Sequence, residues 1–138
     1  MTKLIVDASA AASWLLASQA TRSALDLLDR LGTFDLVAPH IFQWEIGNVL
    51  VRQTRRVSGF DLQEALILLD DFDIELAPPW ERNDLRLLGL FAASRGLSLF
   101  DASYLWLAMA VDGAVASRDG SLLGAASAAG LPVFDLRD

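Results

Sequence analysis

The fold is decided by the sequence Leu4-Ile5-Val6-Asp7-Ala8-Ser9, in which three large apolar residues end at a carboxylate. A short apolar run that is rich in β-branched residues and closes on a polar residue is typical of a buried strand. The following segment, Ala8–Leu16, is longer and reads as a helix. Repetition of this strand-then-helix order along the chain predicts βαβ units and therefore a parallel sheet.

Short strand-like runs alternate with longer helical runs along the 138 residues. The predicted strands are Lys3–Val6, Asp35–Ala38, Asp73–Ala77, Gly113–Ser117 and Pro132–Leu136. The predicted helices are Ala8–Leu16, Thr21–Leu31, His40–Val57, Asp61–Phe72, Glu81–Arg95, Phe100–Val111 and Ser121–Ala129. We therefore expect an α/β fold with a central, mainly parallel five-stranded sheet, formed by a single domain over residues 1–138.

Composition excludes several kinds of protein. Hydrophobic residues make up 54% of the chain, which argues against disorder. The absence of cysteine excludes disulfides, thiolate zinc sites and a cysteine nucleophile. The one histidine, His40, lies beside Pro39 at a predicted helix start and is expected to be structural. The formal charge of −7 argues against non-specific binding to nucleic acid, although acids that bind a metal are locally neutralised.

No membrane role is predicted. The N-terminal residues superficially resemble a signal peptide, but Asp7 interrupts the apolar segment that such a peptide needs. The longest run of large apolar residues, 104–111, is too short to span a bilayer. A cysteine-free chain of this kind is compatible with the cytosol, and a cytoplasmic location is expected.

Four carboxylates lie in apolar stretches where a lone charge is costly: Asp7, Glu45, Asp101 and Asp119. Asp7 directly follows the first predicted strand and Asp119 follows the fourth by two residues. In open α/β sheets, sites form beyond the carboxyl ends of strands where the strand order reverses, so these acids meet if the two strands are neighbours. Asp101 and Glu45 lie early on helices near the same edge. Four convergent carboxylates suit a hard cation such as Mg²⁺ or Mn²⁺.

Each acid also has an ordinary explanation. Asp7 and Asp119 are well placed to cap helices, and Asp101 can interact with a helix N-terminus. Glu45 cannot be a cap if its helix begins at His40, so its alternative is a solvent-facing or arginine-paired side chain. The joint arrangement nevertheless favours a metal site. Because crowded carboxylates repel one another, at least one should hold a proton or stay disordered when no metal is bound.

Neighbouring polar residues are candidates for supporting roles. Ser9 and Ser117 can donate hydrogen bonds to a carboxylate or a metal-bound water, with local backbone bonding as the alternative. Asn48 lies three residues after Glu45 and is expected on the same helix face. Three basic residues near the end of that helix are either a solvated helix end or a phosphate-guiding patch: Arg52, Arg55 and Arg56.

A known family shares four motifs of this chain, in the same order. The motifs are Asp7-Ala8-Ser9, Glu45-Ile46-Gly47-Asn48, Asp101-Ala102-Ser103-Tyr104 and Ser117-Arg118-Asp119. In these the chain resembles the PIN-domain ribonucleases and, more narrowly, the VapC toxins of bacterial and archaeal toxin–antitoxin pairs. Ser117 stands where the family often has Thr, and Trp106 is bulkier than the small residue expected there.

The resemblance covers essentially the whole chain and implies several properties. The fold would be a PIN-like, doubly wound three-layer sandwich. The activity would be a Mg²⁺- or Mn²⁺-dependent endoribonuclease with Asp7, Glu45, Asp101 and Asp119 as its acidic quartet. The partners would be an RNA substrate, a second copy of the chain in a homodimer, and a cognate antitoxin with a basic segment.

Other α/β classes lack their diagnostic residues. There is no phosphate-binding P-loop and no dinucleotide fingerprint after the first strand. An aspartyl phosphatase would have a second Asp two residues after Asp7, where Ser9 stands. A receiver domain would have a late Lys, and the only lysine is Lys3. Two alternatives remain open: a non-catalytic interaction protein on the same fold, and a stand-alone PIN nuclease without an antitoxin.

Overall fold

The computed structural model describes residues 1–138 and contains one five-stranded sheet. Its strands are β1 (Thr2–Val6), β2 (Phe34–Ala38), β3 (Glu75–Leu76), β4 (Ala114–Ser117) and β5 (Val133–Asp135). Their spatial order is β3-β2-β1-β4-β5, and every neighbouring pair is parallel. The α/β fold predicted from the sequence is confirmed, with a sheet that is entirely rather than mainly parallel.

The centre of the sheet is β1, which pairs with β2 on one side and with β4 on the other. Ile5 lies opposite Val37 in β2 and Val115 in β4. From β1 the chain builds outward through β2 and β3, then returns to the other side for β4 and β5. The strand order therefore reverses between β1 and β4, and their carboxyl ends form the switch point where sites arise in such folds. Strands β1 and β4 are therefore neighbours, which is the condition under which Asp7 and Asp119 were expected to meet.

Seven helices cover the sheet in two groups. They are α1 (Ala8–Leu15), α2 (Arg22–Leu28), α3 (Phe42–Arg56), α4 (Leu62–Asp71), α5 (Arg82–Arg95), α6 (Leu99–Val111) and α7 (Gly120–Ala128). Helix α1 packs against α2, α3 and α4, whereas α6 packs against α5 and α7. Because βαβ crossovers are right-handed, the change in direction at β1 places the two groups on opposite faces of the sheet.

Most predicted boundaries lie within one residue of the observed ones, and three differ by two or three residues. Helix α2 ends at Leu28, and Leu31–Thr33 form a separate 3-10 turn. Strand β3 is only two residues long, since Asp73 has a left-handed backbone with φ of 53° that no strand can contain. Helix α3 begins at Phe42 rather than at His40. The last difference changes the position of Glu45 in its helix.

The core lies between the central strands and both helical layers. Leu4, Ile5 and Val6 of β1 are completely buried, as are Val115 and Ala116 of β4. Strands buried on both faces read as continuous apolar runs, which is the pattern that identified β1 in the sequence. No helix combines the length and the apolarity required to cross a membrane.

Candidate active site

A cavity of about 290 Å³ opens beyond the carboxyl ends of β1 and β4. All four predicted acids line it: Asp7, Glu45, Asp101 and Asp119. They come from the end of β1, the first turn of α3, the first turn of α6 and the residue that precedes α7. The structure thus gathers side chains that are as far as 112 positions apart in the sequence.

Asp7 is the most buried of the four acids, with 6% of its surface exposed. Its Oδ1 accepts hydrogen bonds from the Ala10 amide at 2.8 Å and the Ser9 hydroxyl at 2.7 Å, and its Oδ2 accepts one from the Ser117 hydroxyl. Burial raises the pKa of Asp7 to about 6 despite these bonds, and the charge of Asp119 adds to the effect. Asp7 therefore caps α1, as its ordinary explanation required, and also lines the pocket.

Ser9 and Ser117 join the ends of the two central strands. The Ser9 hydroxyl accepts a hydrogen bond from the Arg118 amide at 2.8 Å, and the Ser117 hydroxyl accepts one from the Asp119 amide at 2.9 Å. Since both hydroxyls also donate to Asp7, they link its carboxylate to the loop after β4. Both serines make the carboxylate contact that the sequence suggested, and they bond to backbone amides as well.

Asp119 and Asp101 lie on the α6–α7 side of the cavity. Asp119 caps α7 by accepting a hydrogen bond from the Ser121 amide at 2.9 Å. Asp101 is not a cap, because Ser98 fills that position of α6. Burial, followed by the charges of Asp119 and Asp7, raises the pKa of Asp101 to about 6. Asp7 and Asp101 are thus protonated more readily than ordinary carboxyl groups, chiefly below about pH 6, and burial is a larger cause than charge repulsion.

Glu45 makes a contact that sequence reasoning missed. Because α3 begins at Phe42, Glu45 lies in the first turn, where the helix dipole favours a carboxylate even without a metal. Its Oε1 accepts a hydrogen bond of 2.6 Å from the hydroxyl of Tyr104, a residue that is only 2% exposed. Burial and the neighbouring Glu45 raise the pKa of Tyr104, which keeps the phenol protonated as a donor. The available signal was the position of Tyr104 three residues after Asp101, on the same face of α6.

The rest of the cavity lies between α1 and α3. On the α3 side it is lined by Val49, Arg52, Gln53 and Arg56. Gln19 lines the opposite side, where its side-chain oxygen accepts a hydrogen bond of 3.1 Å from Arg118.

Three of the predicted residues lie outside the cavity lining. Ser117 is completely buried and is connected to the site by its hydrogen bond to Asp7. Arg55 is exposed and lies outside its lining, although its neighbours Arg52 and Arg56 belong to it. Asn48 is also exposed and outside the lining. At about 100° per residue, Asn48 is turned about 60° away from Glu45 on the side opposite to Val49.

The acids fit a divalent cation by chemistry, and they line one cavity. Carboxylate oxygens are the ligands that Mg²⁺ and Mn²⁺ prefer, and burial leaves the charged forms of Asp7 and Asp101 poorly stabilised by solvent. In the present side-chain arrangement, however, no three of the acids are close enough together to hold one ion. Both oxygens of Asp7 face hydroxyl or amide donors. Metal binding therefore requires side chains to turn within the cavity.

Comparison with known proteins identifies the family. The model of the PIN domain family matches residues 4–127. The chain belongs to the PIN-domain family. Proteins with this domain are generally metal-dependent nucleases, and they typically use divalent ions. No curated protein matches this PIN-domain chain.

Two solved structures share the fold of this PIN-domain protein. PAE2754 from Pyrobaculum aerophilum is 22% identical with a TM-score of 0.64, and the match covers 90% of this chain and 84% of that one. FitAcB from Neisseria gonorrhoeae is 16% identical with a TM-score of 0.61, and the match covers 97% of this chain and 98% of that one. At these identities the likeness shows the fold alone. The PIN fold is confirmed, and the narrower VapC assignment stays a prediction.

Proposed function

We propose that this PIN-domain protein is a Mg²⁺- or Mn²⁺-dependent endoribonuclease that hydrolyses RNA phosphodiester bonds, and that it is the toxin of a toxin–antitoxin pair. The observation that carries the proposal is the meeting of Asp7, Glu45, Asp101 and Asp119 in one cavity at the switch point. The hydroxyls that line this end of the cavity, those of Ser9 and Tyr104, donate hydrogen bonds to Asp7 and Glu45. Chemistry here therefore depends on carboxylates.

The four acids have different roles in this proposal. Asp7, Asp101 and Asp119 would hold the cation directly or through water, and Glu45 would complete its shell or position the attacking water. A bound divalent ion activates water, orients the scissile phosphate and stabilises the leaving oxygen. One ion reduces the formal charge of the four ionised carboxylates to −2, and two reduce it to zero.

Hydrogen bonds orient two of the four acids when no cation is bound. Ser9 and Ser117 orient Asp7, and Tyr104 orients Glu45. Such supporting partners of ligating carboxylates commonly matter 10- to 100-fold for affinity or activity. Because a proton and a cation compete for Asp7 and Asp101, metal binding should weaken as the pH falls below about 6.

The nuclease proposal is tested by RNA cleavage with purified protein. Wild-type protein should cleave single-stranded RNA in Mn²⁺ or Mg²⁺ and should lose that activity in EDTA. Asp101→Asn should be inactive while still folded, since Asn keeps the shape of the side chain but removes the ligand charge. Clean, metal-replete wild-type protein that does not cleave RNA would instead support a non-catalytic interaction protein on this fold.

The proposal of an antitoxin partner rests on the resemblance to the VapC toxins and on the charge of the protein. An acidic cavity in a protein of formal charge −7 attracts a basic segment, whose Arg or Lys could pair with the acids and occlude metal or RNA. The direct test is co-expression with the small protein encoded next to this chain, followed by copurification and an RNA-cleavage assay. If no complex forms, or if the complex cleaves as fast as the free chain, the protein is better described as a stand-alone PIN nuclease.

Homodimer formation is part of the same proposal. Helices α5 and α6 expose several large apolar side chains: Leu85, Leu87, Leu90, Trp106 and Met109. Contiguous exposed apolar surface is more typical of interfaces than of free monomer surface. Sedimentation equilibrium should give twice the mass of the chain, and a monomer at micromolar concentration would contradict this part.

A further inference from the structure

The cavity has an acidic end and a basic end on the same helix. Glu45 stands in the first turn of α3, while Arg52 and Arg56 line the cavity further along. They follow Glu45 by seven and eleven residues, which is about 10 and 16 Å along the helix axis. Both lie within about 20° of the direction of Glu45 around the axis, so they continue one stripe of α3. Arg55 belongs to the same segment but not to this stripe.

Neither Arg52 nor Arg56 forms an ion pair or a side-chain hydrogen bond within the chain. The ion pairs of the protein involve Asp35 and Asp135, and no carboxylate lies within ion-pair distance of Arg52 or Arg56. Neither guanidinium makes a hydrogen bond within the chain; all of those made by arginine side chains belong to Arg118 and Arg137. The acids of the cavity are thus not neutralised by these cations. Complementing the helix dipole needs only a cation near the end of α3, which Arg55 supplies equally well.

We propose that Arg52 and Arg56 bind successive backbone phosphates of a single-stranded RNA on one side of the scissile bond. This inference rests on the proposed nuclease function. It extends that function by assigning the direction in which the bound RNA strand runs away from the acidic residues. The strand runs along α3 between α1 and α3, with the cleaved phosphate at Asp7, Asp101 and Asp119. The two arginine positions are four residues apart, which is about 6 Å along the helix axis.

Charge explains why such a pair is needed. A polyanion is repelled by a protein of formal charge −7 unless cations lie along its path. Arginine binds phosphate with paired N–H donors, and a contact of this kind adds affinity without reading the base sequence. Asp7 is only 6% exposed, so the scissile phosphate has to reach recessed acids, which a flexible single strand does more easily than a rigid duplex. The assignment therefore favours unpaired RNA.

The experiment measures binding separately from cleavage. A fluorescein-labelled single-stranded oligoribonucleotide is titrated with folded Asp101→Asn protein in Mg²⁺ at several KCl concentrations. Into this background are placed Arg52→Gln, Arg56→Gln, the double substitution, and Arg55→Gln as a control with the same change of charge. The slope of log affinity against log salt should decrease by about 0.7 for each cavity arginine and by about twice that for the pair. Arg55→Gln should leave the slope unchanged.

Cleavage kinetics give a second readout. In otherwise wild-type protein, Arg52→Gln and Arg56→Gln should raise KM several-fold with little change in kcat, because they remove binding that is equal in the ground state and the transition state. Thermal unfolding should be unchanged, since both side chains are exposed.

The two proposals fail in different ways. Equal salt slopes for the Asp101→Asn parent and for its Arg52→Gln and Arg56→Gln derivatives, or an equal decrease for Arg55→Gln, would overturn the phosphate assignment even if the protein is a nuclease. If the salt slopes decrease as expected but wild-type protein does not cleave RNA, the nuclease proposal fails. The assignment of Arg52 and Arg56 as phosphate-binding residues is then retained. If the arginine substitutions impair copurification with a partner protein and leave RNA binding intact, the pair serves that protein and the RNA assignment is wrong.

Discussion

Two groups of acids in the same sheet have opposite surroundings. The flanking acids are Asp35 on β2, which is half-buried, and Asp135 at the end of β5, which is exposed, and both are paired with cations. Asp35 lies 3.8 Å from the N-terminal amine and 4.0 Å from Lys3, and Asp135 accepts a hydrogen bond of 2.8 Å from Arg137. The cavity acids lie beyond the central strands, and no cation is within ion-pair distance of them.

The pKa values follow these surroundings. Arg137 lowers the pKa of Asp135, whereas burial raises the pKa values of Asp7 and Asp101 to about 6. The fold therefore stabilises the charged form at its flank and destabilises it at its centre. An arrangement that costs stability is expected where function requires it, and perturbed carboxyl groups in a cleft are typical of functional sites.

The largest expected difference between the two groups is in activity. Asp7→Asn should reduce metal-dependent RNA cleavage at least about 100-fold, the size of effect seen when one charge-stabilising group of an active site is removed. Asp135→Asn makes the same chemical change at the flank and should leave the rate unchanged. Initial rates on one RNA, with both proteins checked by circular dichroism, measure the difference. Unchanged cleavage by folded Asp7→Asn protein would refute the assignment of Asp7.

The second difference is in the pH dependence of stability without metal. Between its ordinary pKa of 3.8 and about pH 6, Asp7 holds a proton in the folded chain that the unfolded chain has lost. This contribution to stability is present at low pH and is lost as the pH rises through about 6. A shift of about two pKa units corresponds to at most about 3 kcal/mol.

Urea unfolding in EDTA, at pH values from about 4 to about 8, measures this contribution. Wild type should lose stability relative to Asp7→Asn as the pH rises, because the amide cannot ionise. The same comparison for exposed Asp135, whose pKa is lowered by Arg137, should show only a small effect of opposite sign. Parallel pH profiles of wild type and Asp7→Asn would show that Asp7 is ionised at no cost.

The third difference is in stabilisation by metal. Millimolar Mg²⁺ or Mn²⁺ should raise the melting temperature, because a ligand that binds only the folded state stabilises it by about 2.7 kcal/mol at 100 times its Kd. Asp119→Ala and Glu45→Ala should weaken this gain, and Asp35→Ala should not. Differential scanning fluorimetry and calorimetric titration would reveal it. A flat titration by both methods would count against a metal site among the cavity acids.

The smallest expected effect tests how the cavity acids are held. Tyr104→Phe removes the hydroxyl that donates to Glu45 and leaves the buried ring in place. Cleavage should fall about 10-fold, as for other supporting partners of ligating carboxylates. In a Glu45→Gln background the same substitution should have little further effect, which a role in folding alone would not predict.

Ser103→Ala provides the control for Tyr104→Phe. Ser103 is the preceding residue of α6, is buried, and bonds to the Phe100 carbonyl rather than to any cavity acid. The substitution Ser103→Ala should leave cleavage unchanged. Equal losses for Ser103→Ala and Tyr104→Phe, or additive losses with Glu45→Gln, would mean that Tyr104 does not act through Glu45.

Local sequence patterns were enough to predict the secondary-structure elements and the ends of the central strands. The strand β1 and the acid that follows it were readable because apolar runs and capping residues act over a few positions. The predictions were less accurate where one backbone angle decides the outcome, as at Asp73 before β3. The start of α3 was misplaced by two residues, and this changed the argument for Glu45 without removing it from the cavity.

The sequence by itself determined an α/β chain with five strands, seven helices and acids placed after strand ends and early in helices. Only the tertiary structure decided that the hydroxyl of Tyr104 meets Glu45 across 59 residues and that Arg52 and Arg56, but not Arg55, line the cavity. It also decided that burial outweighs repulsion at Asp7 and Asp101. The physical reason is distance. Strands and caps depend on neighbours along the chain, whereas a long-range hydrogen bond, a cavity wall and a shifted pKa depend on how separate elements pack.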